Sequence, residues 1–292
     1  MTDFQILTDA TADLPLEFLE SLGVAVIPMT IEMEGKDYIT GSKDSVLTVQ
    51  EFYRRLSAGE VARTSQINAL TFNQYFEGEL QKGRDVLMIT LSSNLSKSYE
   101  VGESCAEKLQ QDYPDRKVYC LDSRNASLGE GLLVYAAAQL QKQGKTVDEV
   151  ADWVVAARDR TACWVTVDDL SYLQRGGRIS TASAAVGMML NIKPIIYMNE
   201  DGMLINVNKV RGRKKSLEAI MEAFRERWAL HKEEPVIVGY GSDSIKEDAE
   251  FIRDQIKAGG GPENVWIYEI GPVVGAHTGP SVIAIFFLGD RK

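Results

Sequence analysis

The feature that most constrains this chain is an alternation of short apolar runs with helical patterns, set from the first residues. The opening FQILTDATADLPLEFLESLGVAVIPMTI reads as strand, loop, helix and strand, with Pro15 at the helix start and Gly23 just past its end. Three Thr-x-x-Glu/Gln boxes mark further helix starts: Thr48 with Glu51, Thr71 with Gln74, and Thr146 with Glu149. Between them lie the strand-like runs DVLMITL and KVYCLD, each followed by a helical pattern. Strands and helices in this order predict a mostly parallel, doubly wound sheet over roughly the first half.

After TACWVTV the pattern changes. KPIIYMNEDGMLINVNKV holds two alternating apolar segments around Asn199-Glu200-Asp201-Gly202, a hairpin signal with Asp-Gly at the turn. An amphipathic helix follows, with Leu217, Ile220, Met221, Phe224 and Trp228 on one stripe, then PVIVGYG, another helix, NVWIYEI and SVIAIFFL. The expectation is an α/β protein of two domains, natural for 292 residues. Residues 1–160 form a parallel-sheet α/β domain, and residues 161–292 a smaller α+β domain with a mixed or antiparallel sheet.

A net charge of −10 speaks against binding nucleic acid or an anionic membrane surface. The local exception is KVRGRKKS, where Lys209, Arg211, Arg213, Lys214 and Lys215 make a basic patch able to dock a negatively charged partner. The plain alternative is a solvated helix start. Cys105, Cys120 and Cys163 are far apart and follow no CxxC spacing, as reduced core thiols do, which favours the cytoplasm. The N-terminus shows no secretion pattern, and no apolar run reaches the ~18 residues of a membrane span.

Asp9 and Asp122 fall at strand ends, where ligands collect in open α/β sheets. Their spacing fits turns and caps better than phosphotransfer, with Asp13 as an N-cap ahead of Pro15. TLSSNLSKSYE crowds Ser92, Ser93, Ser96 and Ser98 at a strand-to-helix junction, a place for a carboxylate or phosphate and equally for plain capping. Thr64 and Ser65 stand before another helix. In YLQRGGRIS, Arg175 and Arg178 flank two glycines, and Arg175 is either an anion clamp or a surface arginine. His277, in GPVVGAHTGP, admits three roles: general base, metal ligand, or donor to a bound ligand. No nucleophile elbow or metal-ligand spacing accompanies it. An enzyme reading remains, a small-molecule hydrolase or phosphotransferase using His277 or Asp9.

Taken in order, ILTDATADLP, TSQ, LSSNLSKSYE, LDSRNASLGEGLLV, LSYLQRGGRIS, IKPII and GPVVGAHTGP resemble the DegV family of bacterial fatty-acid-binding proteins over essentially the whole chain. The resemblance implies a Rossmann-like domain, a smaller α/β domain, and one long-chain fatty acid, such as palmitate, buried between them. It places the carboxylate among the hydroxyls of Thr64 and Ser96, with Ser65, Ser92 and Ser93 adjacent, and completes the network with Arg175 and His277. It implies a carrier with no cofactor and no chemistry of its own, which presents the acid to a separate fatty-acid kinase. Arg211 and Arg213 then become the expected docking residues for that kinase. The serine loop departs from a commoner SSGLSGTY form. Asn94 and Lys97 replace its glycines and Ser98 its threonine, which restricts the backbone and adds a cation near the expected carboxylate.

Overall fold

The computed structural model describes residues 3–179, 191–228 and 234–290. Histidine 231 lies outside them. Strands β1 (Phe4–Asp9), β2 (Ala25–Ile27), β6 (Asp85–Thr90) and β7 (Val118–Asp122) form an all-parallel sheet in the order β2-β1-β6-β7. The predicted parallel sheet is present, and alternation along its strands explains how both faces are covered. Leu7, Val86 and Met88 pack with Phe72, Phe76 and Leu109 of helices α3 (Ala69–Leu80) and α4 (Ser98–Asp112). Ile6, Leu87 and Ile89 point the other way, to α5 (Leu128–Lys142) and α6 (Val147–Arg158).

A second sheet takes its strands from residue 161 onward, in the order β10-β9-β8-β13-β11-β12. These are β8 (Thr161–Thr166), β9 (Ile192–Met198), β10 (Leu204–Arg211), β11 (Val236–Tyr240), β12 (Val265–Glu269) and β13 (Ile283–Leu288). The sheet is mixed, as expected: β11 and β12 are parallel and the other neighbours antiparallel. Its outer face holds Trp164, Ile285 and Phe287 against α8 (Arg213–Arg227) and α9 (Lys246–Ala258). Its inner face, with Cys163, Val165 and Phe286, joins the same core cluster as Ile6 and Leu87. Helix α5 is therefore packed between the two sheets, and nearly all of Leu128–Ala138 is buried. Close approach is built into it, since a Cβ on Gly131 would stand 2.5 Å from the Ala12 carbonyl oxygen.

The expected hairpin is present, with Met198 opposite Leu204 and Gly202 at φ +78° in the turn. A third, antiparallel sheet, β4-β3-β5, was not expected. It joins β3 (Met29–Met33), β4 (Lys36–Thr40) and β5 (Ala62–Thr64). Two helix starts also differ from the sequence reading. Asn68, not Thr71, caps α3, because its side chain reaches the Thr71 N–H at 3.0 Å and offers the stronger cap. Pro15 itself precedes α1 (Leu16–Ser21), while Asp13 turns inward at φ 54° and accepts from the Ser127 hydroxyl at 2.6 Å. The Thr146–Glu149 capping box is complete, and Thr48 caps α2 (Val49–Ser57). Among the described residues no helix is long and apolar enough to cross a membrane, and all three cysteines are buried and outside any disulfide.

Candidate functional site

A cavity of about 590 Å³ opens between the serine loop, the inner face of the six-stranded sheet and the short helix α10 (Pro272–Thr278). Its size is that of a small-molecule site. Apolar groups from the sheets' shared core line it, among them Leu91, Cys163, Val165, Ile196, Met198 and Phe286. Polar groups converge on the same space from four segments: Thr64 and Ser65 at the end of β5, Ser93 and Ser96 on the serine loop, Arg178 after α7 (Ser171–Arg175), and His277 in the last turn of α10.

The unexpected small sheet is what delivers Thr64. Its register sets Thr64 opposite Ile31, and Ser65 continues the pairing by donating its N–H to the Thr30 carbonyl at 3.1 Å. Thr64 Oγ1 lies 2.8 Å from Nε2 of His277, an interaction joining residues 213 positions apart. The imidazole is pushed down to about 4, first by burial and then by the nearby Arg178 guanidinium, so the ring is neutral at neutral pH. A neutral imidazole offers one donor and one acceptor nitrogen, which suits a place in a hydrogen-bonded network. Gly176 explains part of the RGG signature: a Cβ there would stand 2.3 Å from Nδ1 of His277. Gly177 takes φ +72° and reverses the chain.

That reversal corrects one sequence expectation. Arg175 does not line the cavity; it is exposed and stacks its guanidinium 4.8 Å from the Tyr172 ring, one helical turn back. Arg178, delivered inward after Gly177, lines the cavity instead and donates from Nε to the Leu95 carbonyl at 2.9 Å. Arg213 also differs from expectation as a docking residue. It is tied inward, to Asp248 at 2.7 Å and the Ser281 carbonyl at 3.0 Å, because it begins α8 beside the neighbouring helix α9. Arg211 remains exposed at the end of β10, with Lys209 two residues before it.

The serines divide in their engagement. Ser93 is held by Asp122, through its N–H at 3.2 Å and its hydroxyl at 2.7 Å. Ser96 Oγ accepts the Ser98 N–H at 3.2 Å and lies 3.1 Å from the Ser98 hydroxyl, capping the approach to α4 while facing the cavity. Lys97 pairs with Glu100 at 2.6 Å on the exposed side of the loop.

Asp9 is not placed as a nucleophile. It is buried, and its carboxyl accepts the Thr11 N–H at 2.8 Å and the Leu91 N–H at 3.1 Å. Thr11 Oγ1 stands between Asp9 Oδ1 and Glu130 Oε2, the latter at 2.9 Å. One hydroxyl hydrogen cannot serve both carboxyls, so one of them carries a proton. Burial pushes Glu130 well above the carboxylate range, with Asp9 adding to it, and Asp9 already accepts two backbone donors, so Glu130 holds the proton. Among the described residues no group of three His, Cys, Asp or Glu could hold a metal ion.

Sequence reasoning named Thr64, Ser65, Ser93, Ser96 and His277, and the fold brings all five to one cavity. It preferred Arg175 over Arg178, although the Gly-Gly reversal between them was a usable signal. It did not find the apolar lining residues, whose identity depends on sheet register.

Comparison with known proteins accords with this architecture. The family model described as "Uncharacterised protein, DegV family" matches residues 3–290. A DegV domain-containing protein of Clostridium perfringens is 39% identical over 100% of this chain and 99% of its own. Among solved structures, a DegV family protein from Thermus thermophilus, described as fatty acid binding, has a TM-score of 0.87 at 30% identity, covering 99% of this chain and 100% of its own. A stearic acid-binding protein from Eubacterium ventriosum has a TM-score of 0.85 at 25% identity, covering 99% of both chains. With a family model spanning nearly every residue and such relatives beside it, this chain belongs to the DegV family.

Proposed function

We propose that this chain binds one long-chain fatty acid in the 590 Å³ cavity and presents its carboxylate to a separate fatty-acid kinase. The observation that carries the reading is the meeting of Thr64, Ser96, Arg178 and His277 at a cavity whose lining also includes apolar side chains of the shared core. The fatty acid-binding relatives named above support it. Burying the ~14 methylenes of a sixteen-carbon tail at about 0.8 kcal/mol each contributes roughly 11 kcal/mol before the costs of association. Micromolar to nanomolar binding needs only about 8 to 12 kcal/mol net, so the tail supplies most of the affinity. The polar groups then fix the carboxylate and offset its desolvation, with Arg178 as the permanent cation and Ser65 and Ser93 beside it.

In this reading the chain is a cytoplasmic carrier and not an enzyme, with residues 1–160 and 161–292 as the two domains that enclose the lipid. The kinase docks near Arg211 and Lys209, which are exposed on β10, the edge strand of the second sheet among the described residues. The direct test is denaturing extraction of purified protein followed by mass spectrometry. Near-stoichiometric fatty acid is expected; its absence, together with no uptake of added palmitate or oleate, sinks the proposal. Thr64→Ala and Ser96→Ala should each weaken binding by about 2- to 10-fold, the size of one hydrogen bond. Unchanged affinity in both would move the carboxylate elsewhere.

A further inference from the structure

The serine loop is fastened from outside the cavity by a contact that capping does not require. Asn94 donates from Nδ2 to the carbonyl of Asp201 at 2.7 Å, and Ser92 donates its hydroxyl to the carbonyl of Gly202 at 2.9 Å. Both acceptors lie in the β9–β10 hairpin turn, 107 and 110 positions away in sequence. The turn is itself prepared for this. Asn199 Oδ1 takes the N–H groups of Asp201 and Met203 at 3.1 and 2.8 Å, and the Gly202 N–H returns to the Asn199 carbonyl at 2.9 Å. Fit is tight, because a Cβ on Gly202 would meet Ser92 Oγ at 2.2 Å.

The fastened segment is the one that lines the cavity. Ser93, Asn94, Leu95, Ser96 and Lys97 all do so, and the Leu95 carbonyl also receives Arg178. Ser92 is the pivot of the loop's own turn, since its carbonyl accepts the N–H groups of Leu95 and Ser96 at 2.9 and 3.0 Å. Pulling the hairpin away would therefore remove two of the contacts that hold this turn, leaving it to Asp122 on Ser93, the Asn125 carbonyl on the Ser92 N–H and Arg178 on Leu95.

We infer that Asn94 is a positioning residue, a latch that holds the serine loop closed against the hairpin turn and thereby sets the rate at which a cavity ligand exchanges. The inference rests on the proposed lipid site for its ligand and on the geometry alone for the latch. Asn94 is exposed, so its replacement leaves the core untouched. Asn94→Asp keeps the shape but replaces the N–H donor with an acceptor facing a carbonyl. Gly202→Ala opens the same contact from the other side.

Two readouts test it. Amide hydrogen exchange at Leu95 and Ser96 in lipid-free protein should quicken by about 3- to 10-fold in Asn94→Asp, the scale of one lost hydrogen bond. The dissociation rate of bound palmitate should rise by a similar factor in both variants, while the lipid-free melting temperature of Asn94→Asp stays within about 2 °C of the parent. Unchanged amide exchange in Asn94→Asp overturns the latch, and faster exchange with an unchanged palmitate off-rate overturns its control of ligand exchange. If the parent takes up no fatty acid, the proposed function fails, and the exchange measurement still decides whether Asn94 holds the loop.

Discussion

At the residue scale, the candidate site turns on which arginine faces the cavity. Two residues of the same type lie three positions apart, and only the left-handed turn at Gly177 separates an exposed one from an inward one. The distinction has a direct check. Arg178→Ala should weaken binding of a fatty acid by about 10-fold or more, since it removes the guanidinium delivered to the cavity after Gly177, while Lys97, which also lines the cavity, is paired with Glu100. Arg175→Ala should change it by less than about 2-fold, because Arg175 stacks on Tyr172 outside the cavity. Equal losses measured by titration calorimetry would show that the two roles were misassigned. That Thr64, Ser96 and His277 meet at one cavity was legible because the family motifs TSQ, LSSNLSKSYE and GPVVGAHTGP carry them. Arg178 was less so: the Gly-Gly pair signals a chain reversal, but which of the two arginines then faces inward depends on how the turn packs.

At the scale of elements, the contact of β1 with α5 gathers three carboxyls with no cation among their hydrogen-bond partners in the described residues. Asp9 and Glu130 share Thr11, and Asp13 takes the Ser127 hydroxyl. Burial pushes all three up, Asp13 to about 8. Groups raised in the folded state bind more protons than in the unfolded one, so their contribution is complete at low pH and is lost as pH rises through the folded value. His277 works oppositely, but only between about 4 and its ordinary 6.5. From pH 6.5 to 8.5 Asp13 and the raised Glu130 therefore act in the same direction, and stability should fall. Thermal melts across this window should show a drop for the parent and a flatter profile for Asp13→Asn; parallel profiles would refute the assignment. The elements themselves were unequally visible in the sequence. The parallel strands announce themselves as continuous apolar runs between helices. The β4-β3-β5 sheet does not, since Ala62–Thr64 is too short for a pattern and is paired only through distant Ile31–Met33.

At the scale of the whole molecule, one core cluster runs from the parallel sheet through α5 to the inner face of the second sheet. The 590 Å³ cavity is bordered by members of that cluster, including Leu91, Val165, Ile196 and Phe286. On the proposed function, a ligand at a free concentration of 100 times its Kd adds about 2.7 kcal/mol to folding stability. For a chain of this size that corresponds to a rise of about 4 °C in melting temperature. Scanning calorimetry of lipid-stripped protein with and without palmitate should show it, and coincident melts would separate the cavity from folding. The shared core gives the cavity a meaning beyond recognition. If lipid completes the hydrophobic interior that side chains leave open, as the proposed function has it, occupancy is written into the lifetime of the polypeptide: loaded molecules should outlast empty ones under proteolysis, and abundance should follow lipid supply.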